Sequence, residues 1–219
     1  MKRRCLGIML VLLLIGTNST AASIIPQPEM VYYNQGDYPG EMIGTSTIRA
    51  AGCAPCAMAV CISSFTGKRV SVPKLCQWAE ENGYYYSGSG SSHYIVPALA
   101  KKYGLSCQGI GYDREKMLEA LYSGKYVVAL MGPGTFAISG HFIVLTGINN
   151  AGWVSIADVG SRANTYRTYP VRRIMEELKD YSQADGPMWV ISTKEEQEIK
   201  GASKVAITTL TQRFAKNRN

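Results

Sequence analysis

Only two histidines, His93 and His141, occur among the 219 residues, so an imidazole can act as a base at two places only. No apolar run reaches the roughly 20 residues that a membrane-spanning helix needs; the stretch from Leu6 to Ile15 stops well short. Charged residues make up 18% of the chain, and its formal net charge of +7 is scattered, without the basic stripe that a nucleic-acid partner requires. Setting aside Lys2, Arg3 and Arg4 lowers that charge to +4. No internal repeat is present, which excludes a solenoid.

What is there is a chain with 46% hydrophobic residues, enough for one globular domain with short tails. A basic start, an apolar stretch and the small-residue exit Thr17 to Ser23 read as a secretory signal peptide over 1–22. A Pro-containing linker is expected at 23–30, the folded domain at 31–193 and a charged tail at 194–219. No Cys closely follows the apolar stretch, so no lipid attachment is expected. The mature protein should be secreted or extracytoplasmic, without stable membrane association. It retains Cys53, Cys56, Cys61, Cys76 and Cys107. An odd number in an exported protein fits one reactive thiol and up to two disulfides, whose connectivity spacing does not give.

The chain is organised around Ala51-Gly52-Cys53-Ala54-Pro55-Cys56-Ala57-Met58-Ala59-Val60-Cys61. Gly, then Cys, then Pro and an apolar run predict a loop entering a buried helix with Cys53 in its first turn. There the unpaired N–H groups and the helix dipole favour a thiolate. Three readings fit this stretch. Cys53 is a nucleophile, Cys53 and Cys56 are a C-x-x-C redox pair, or all three cysteines are small core residues.

Val31 to Pro39 predicts a short extended segment ending in a turn at Gln35, followed by a loop through Ile48. Helices are predicted from Cys53 to about Phe65, Pro73 to Asn82, Ile95 to Tyr103 and Arg114 to Tyr122, the last capped by Asp113. Tyr84 to Ser92 reads as a surface loop, with the wall of a substrate site as the second reading. Strands are predicted at Lys125 to Met131, Phe142 to Ile148, Trp153 to Ala157 and Met188 to Ser192, with an amphipathic helix over Pro170 to Tyr181. Helices first and strands later indicate an α+β architecture.

His141 stands at the mouth of one strand and Asp158 closes the next. A two-residue Asn149-Asn150 turn places them directly opposite, and a four-residue loop from Asn149 to Gly152 makes them diagonal neighbours on one face. Only an odd-length loop or a bulge would separate them. A carboxylate that accepts one imidazole N–H fixes the tautomer and leaves the other nitrogen to take a thiol proton. With Cys53 as nucleophile, the Gln35 amide and the Cys53 N–H as oxyanion donors, Gln35, Cys53, His141 and Asp158 make up an acyl-transfer site that needs no metal and no cofactor. His93, loop-borne and without a paired carboxylate, is the weaker base.

Tyr33-Asn34-Gln35, Gly52-Cys53-Ala54-Pro55, Trp78-Ala79-Glu80-Glu81-Asn82-Gly83-Tyr84, Pro97 to Leu105, Met131-Gly132-Pro133-Gly134 and Gly140-His141-Phe142-Ile143-Val144-Leu145-Thr146-Gly147 occur in this order over about Tyr32 to Ser161. Together they resemble the bacteriocin-processing, double-glycine-leader cysteine peptidases and their stand-alone bacterial relatives. The resemblance implies a papain-like fold, with an N-terminal helical part carrying the Cys helix and a C-terminal antiparallel sheet carrying His and Asp. It also implies a nucleophile, base, orienter and oxyanion donor at Cys53, His141, Asp158 and Gln35. Two departures are visible: Ala54 and Cys56 flank the Pro where the family has Gly and then Thr or Ser, and Val159 follows Asp158 where it has Pro.

The leading expectation is an exported cysteine peptidase that cleaves amide bonds of a peptide or protein substrate through a thioester. The family's double-glycine substrate is not carried over, because the sequence holds no transporter spans. Two alternatives remain: a thiol-disulfide oxidoreductase using Cys53 and Cys56, and a non-catalytic secreted binding module.

Overall fold

The computed structural model describes residues 28–194, so the expected signal peptide and, apart from Lys194, the tail lie outside the described residues. After a short 3-10 turn at Gln35–Asp37 the elements follow in the order β1 (Met42–Ile43), β2 (Ser46–Thr47), α1 (Ile48–Ala51), α2 (Cys53–Thr66), α3 (Val72–Glu81), β3 (Tyr85–Tyr86), β4 (Gly90–Ser91) and α4 (Ile95–Lys102). Then come β5 (Leu105–Gly111), α5 (Arg114–Tyr122), β6 (Tyr126–Met131), β7 (His141–Ile148), β8 (Trp153–Asp158), α6 (Arg162–Thr165), β9 (Thr168–Pro170), α7 (Val171–Glu176) and β10 (Met188–Thr193). The α+β expectation holds: helices dominate the first half and an antiparallel sheet the second.

Local chemistry sets the helix ends. Ser71 and Asp113 accept the Lys74 and Lys116 N–H groups and so cap α3 and α5. Gly67 ends α2 in the left-handed region at φ 67°, which glycine adopts without a side-chain clash. The sheet runs β5-β10-β6-β7-β8-β9, with every neighbour antiparallel. On one face α2, α3 and α4 bury Met58, Ile62, Leu75 and Leu99 against Phe142, Val144, Trp189 and Ile191. On the other, Met117 and Leu121 of α5 and Ile174 of α7 cover Ile143, Leu145 and Ile156. Burying each such aliphatic side chain contributes about 1.5–3 kcal/mol, so α2 is held by packing on all sides rather than along one stripe.

Several expectations need refinement or correction. The turn expected at Gln35 is there, as a 3-10 turn that follows the extended Asn34, whose side chain accepts the Gly36 N–H and tightens the chain. β5 is a strand that the sequence pattern does not signal, and it pairs along one side only, with β10. The helix expected over Pro170 to Tyr181 is α7 alone. Beyond it the Gly132 N–H bonds to Glu177 O and the Lys179 N–H to Leu130 O, so this backbone extends the β6 ladder instead of coiling. Tyr84 to Ser92 contains the small β3–β4 hairpin. None of the five cysteines expected in the mature protein is in a disulfide.

Candidate active site

α1 and α2 are separated by a single residue, Gly52, whose N–H closes α1 on Ile48 O at 2.8 Å. A Cβ at Gly52 would come within 2.6 Å of Ile48 O and Ile48 Cγ2, so glycine is what lets one helix stop and the next start at once. Cys53 therefore opens α2 as the sequence predicts, partly exposed, while Cys56 and Cys61 one and two turns on are fully buried.

His141 heads β7 and Asp158 closes β8, and Nε2 of the imidazole lies 2.8 Å from Oδ1 of the carboxylate. With Nε2 committed to Asp158, Nδ1 is the nitrogen left for the Cys53 thiol. Burial works against a Cys53 thiolate, but hydrogen bonding and charge from His141, with the N–H groups of Phe142 and Ala54, outweigh it and hold the pKa below the ordinary thiol value. Burial alone would lower the His141 pKa; its hydrogen bonds to Asp158 and Cys53 and their charges instead push it up to about 10. Opposite shifts on the two groups favour a thiolate facing an imidazolium.

Asp158 is 1% exposed, and burial pulls its pKa upward. His141, Asn164 and the Gly160 N–H reverse that and keep the carboxylate below its usual range. Gly160 N–H donates to Oδ1 at 2.9 Å, Asn164 Nδ2 donates to Oδ2 at 2.8 Å, and Asp158 N–H donates to Thr165 Oγ1 at 3.0 Å. These supporting groups sit on α6 and the turn before it, which sequence reasoning missed. Asn164 and Thr165, six and seven residues after Asp158, carry the only sequence signal, an amide and a hydroxyl in reach of a strand-end carboxylate.

Gln35 is brought to this end of the molecule by the same turn. Its N–H donates to Val159 O at 2.8 Å and its Nε2 donates to Arg49 O at 2.5 Å, four residues ahead of Cys53. Gln35 Oε1 is buried without a hydrogen-bond partner, and among the described residues no hydrogen bond joins Gln35 to Cys53. Tyr32 OH donates to Asp158 O at 2.7 Å, Asn34 Nδ2 donates to Tyr32 OH at 2.9 Å, and Arg162 grips both oxygens of Asp37 at 2.6 Å. The segment around Gln35 is thus stitched to the Asp158 turn.

A cleft of about 490 Å³ opens at Cys53. Gly88 to Ser91 form one wall, Ser139 and Gly140 another, so the loop read first as mobile surface is in part a cleft wall. His93 also faces this cleft, its Nδ1 accepting the Gln183 N–H at 2.9 Å, and among the described residues no carboxylate bonds to it. Cys56 has its thiol pushed far up by burial and then by Cys76 and Cys53, which makes it a poor thiolate. Among the described residues no group of three or more His, Cys, Asp or Glu is placed to hold a metal ion.

Among the solved structures similar to this chain are three peptidase domains. The peptidase domain of Streptococcus ComA, a bi-functional ABC transporter involved in a quorum sensing pathway, is 15% identical with a TM-score of 0.48, covering 66% of this chain and 93% of that one. A double glycine motif protease from an AMS/PCAT transporter, solved in complex with the leader peptide, is 15% identical with a TM-score of 0.47, covering 76% and 91%. The N-terminal peptidase C39 like domain of a toxin secretion ATP-binding protein from Vibrio parahaemolyticus is 16% identical with a TM-score of 0.43, covering 66% and 98%. No curated protein matches the sequence. The model of the Peptidase_C39 like family matches residues 28–187, and over that span, which holds Gln35, Cys53, His141 and Asp158, the chain belongs to this family.

Proposed function

We propose that the protein is a cysteine peptidase in which Cys53 is the nucleophile, His141 the general base and acid, Asp158 the orienter and Gln35 an oxyanion donor. The Cys53 thiolate attacks the substrate carbonyl carbon, forming a C–S bond and a tetrahedral oxyanion. Nδ1 of His141 gives its proton to the departing amine as the C–N bond breaks. Water, losing a proton to the same nitrogen, then hydrolyses the thioester and frees Cys53. The Gln35 Nε2 carries a second hydrogen beyond the one given to Arg49 O, and with the first-turn N–H groups of α2 it supplies donors for the oxyanion.

The observation that carries this reading is the run of contacts from Cys53 through His141 to Asp158, with the thiol pKa lowered and the imidazole pKa raised. A redox pair is disfavoured because it leaves the contact of Cys53 with His141, and the Asp158 carboxylate behind it, without a role. The substrate class is a peptide or protein, and the signal pattern over 1–22 supports action outside the cytoplasm.

A thiol-directed acyl probe incubated with the full chain is expected to add once, at Cys53 by peptide mapping. Cys53→Ala is expected to lose both labelling and peptide turnover, and Cys56→Ala to keep labelling at Cys53. Undiminished labelling or turnover in Cys53→Ala overturns the assignment.

A further inference from the structure

Among the described residues lining the Cys53 cleft, Lys179 is the one Lys or Arg, and no Asp or Glu lines it. The backbone of Lys179 is pinned where its N–H meets Leu130 O at 2.9 Å, and its exposed ammonium donates to Ser139 O at 2.8 Å. Among the described residues Lys179 ion-pairs with no carboxylate, whereas Arg162 holds Asp37 and Arg173 holds Glu177. An ammonium with one carbonyl partner retains two further donors for an anion in the cleft.

His93 adds a second donor on the same cleft. Because Nδ1 accepts the Gln183 N–H, the proton of the neutral ring sits on Nε2. Edge contacts with Phe142 and Trp189 fix the ring plane. Burial first, then the charge of Lys179, lowers the His93 pKa, which favours the neutral ring. Ser91, in the facing wall, has a buried Oγ with no hydrogen-bond partner. Gly88, Gly90 and Gly140 leave the space between these groups open. Donors of one positive charge, no competing acceptor carboxylate and small walls describe a receptor for a planar anion.

We propose that Lys179 and His93 form a carboxylate-binding subsite of the Cys53 cleft, so that the protein takes peptides carrying an acidic side chain or a free terminal carboxylate near the scissile bond. The consequence for cleavage rests on the cysteine-peptidase reading; the binding does not.

The test uses full-length Cys53→Ala protein, which binds without turning over, titrated calorimetrically with matched peptides. Acetyl-Gly-Gly-Glu-Gly-amide against its Gln counterpart reports the side chain, and acetyl-tetraglycine as free acid against amide reports the terminus. At least one acid is expected to bind roughly tenfold tighter than its amide partner, as a charge-assisted contact should. That ratio is expected to fall to near one in Lys179→Gln, to survive in Lys179→Arg and to invert in Lys179→Glu, with unchanged thermal melts showing that each variant is folded. Equal affinities for both acid–amide pairs, no binding by either acid, or a ratio that survives Lys179→Gln overturns the subsite. Loss of the subsite leaves probe labelling of Cys53 as a separate result, so the two readings fail independently.

Discussion

His141 and Asp158 share a 2.8 Å contact although neither lies opposite the other in the β7–β8 ladder, where Asp158 faces Ile143. Near the turn the pairs are Ile148 with Val154 and Gly147 with Ser155; beyond it Leu145 pairs with Ile156, leaving Thr146 without a partner. The hairpin closes by Asn149 N–H to Trp153 O, a three-residue loop with Gly152 at φ 79°. Such an odd loop would turn His141 and Asp158 to opposite faces. The bulge at Thr146 restores the parity, and Leu145 and Ile148 both reach the same core because of it.

Deleting Thr146 is therefore expected to leave a regular ladder with the same remaining pairs, and turnover is expected to stay within about threefold with a modest fall in melting temperature. Deleting Ile143 instead places Phe142 opposite Asp158 and turns His141 away, so turnover should vanish. Peptide turnover of the two deletions, side by side, decides; loss in both removes the bulge argument.

Alkylation of Cys53 by iodoacetamide should already be near its plateau below the ordinary thiol pKa of about 8.5, while Cys56 stays unmodified. His141→Ala removes the contact that lowers the Cys53 pKa and is expected to slow alkylation at neutral pH by about tenfold or more. Mass-resolved alkylation rates against pH measure both effects.

Asp158 and His141 set opposite limits on stability. The Asp158 pKa is lowered, so its contribution is present above the ordinary carboxyl value of about 3.9 and is lost as pH falls through the folded value. The His141 pKa is raised, so its contribution is complete below the ordinary value of about 6.5 and is lost as pH rises through about 10. Thermal melts across this range should fall at both ends, and His141→Ala should flatten the alkaline limb.

Asn164→Ala strips the amide from Asp158 Oδ2 and leaves a buried carboxylate oxygen short of a donor, at a cost of about 1–3 kcal/mol in stability. As a positioning residue it should lower kcat more than it changes KM, and Asn164→Asp, which cannot donate when ionised, should not rescue. Asp158→Asn is expected to cost about a hundredfold or more in kcat. Melts and steady-state kinetics of the three variants separate support from chemistry.

Gly52→Ala forces a Cβ to within 2.6 Å of Ile48 O and Cγ2 and is expected to destabilise by about 1–3 kcal/mol. Because the displaced residue adjoins Cys53, turnover should fall along with the melting temperature.

Much of this was legible in the sequence where local chemistry decides. Gly52 and Gly67 bracket α2, Asp113 caps α5, and the apolar run before Met131 makes β6. What was not legible depends on partners distant in sequence. β5 reads Leu105-Ser106-Cys107-Gln108-Gly109-Ile110-Gly111, too polar and glycine-rich to announce a strand, and only pairing with β10 makes it one. Glu177 to Lys179 continue a helical pattern but spend their backbone groups on β6. Cys53, His141 and Asp158 could be named because strand ends and a helix start carry them. The bulge at Thr146 and the support from Asn164 left no comparable mark.

The bond from Tyr32 to Asp158 joins groups 126 residues apart, and the Arg162 grip on Asp37 spans 125. A chain emerging from the ribosome exposes the Cys53 thiol long before His141, Asp158 or the residues that brace them have been made. Under the proposed roles, the nascent polypeptide would lack its base and orienter until this later part of the chain had been made and had packed against the first, so proteolytic competence would come late in folding.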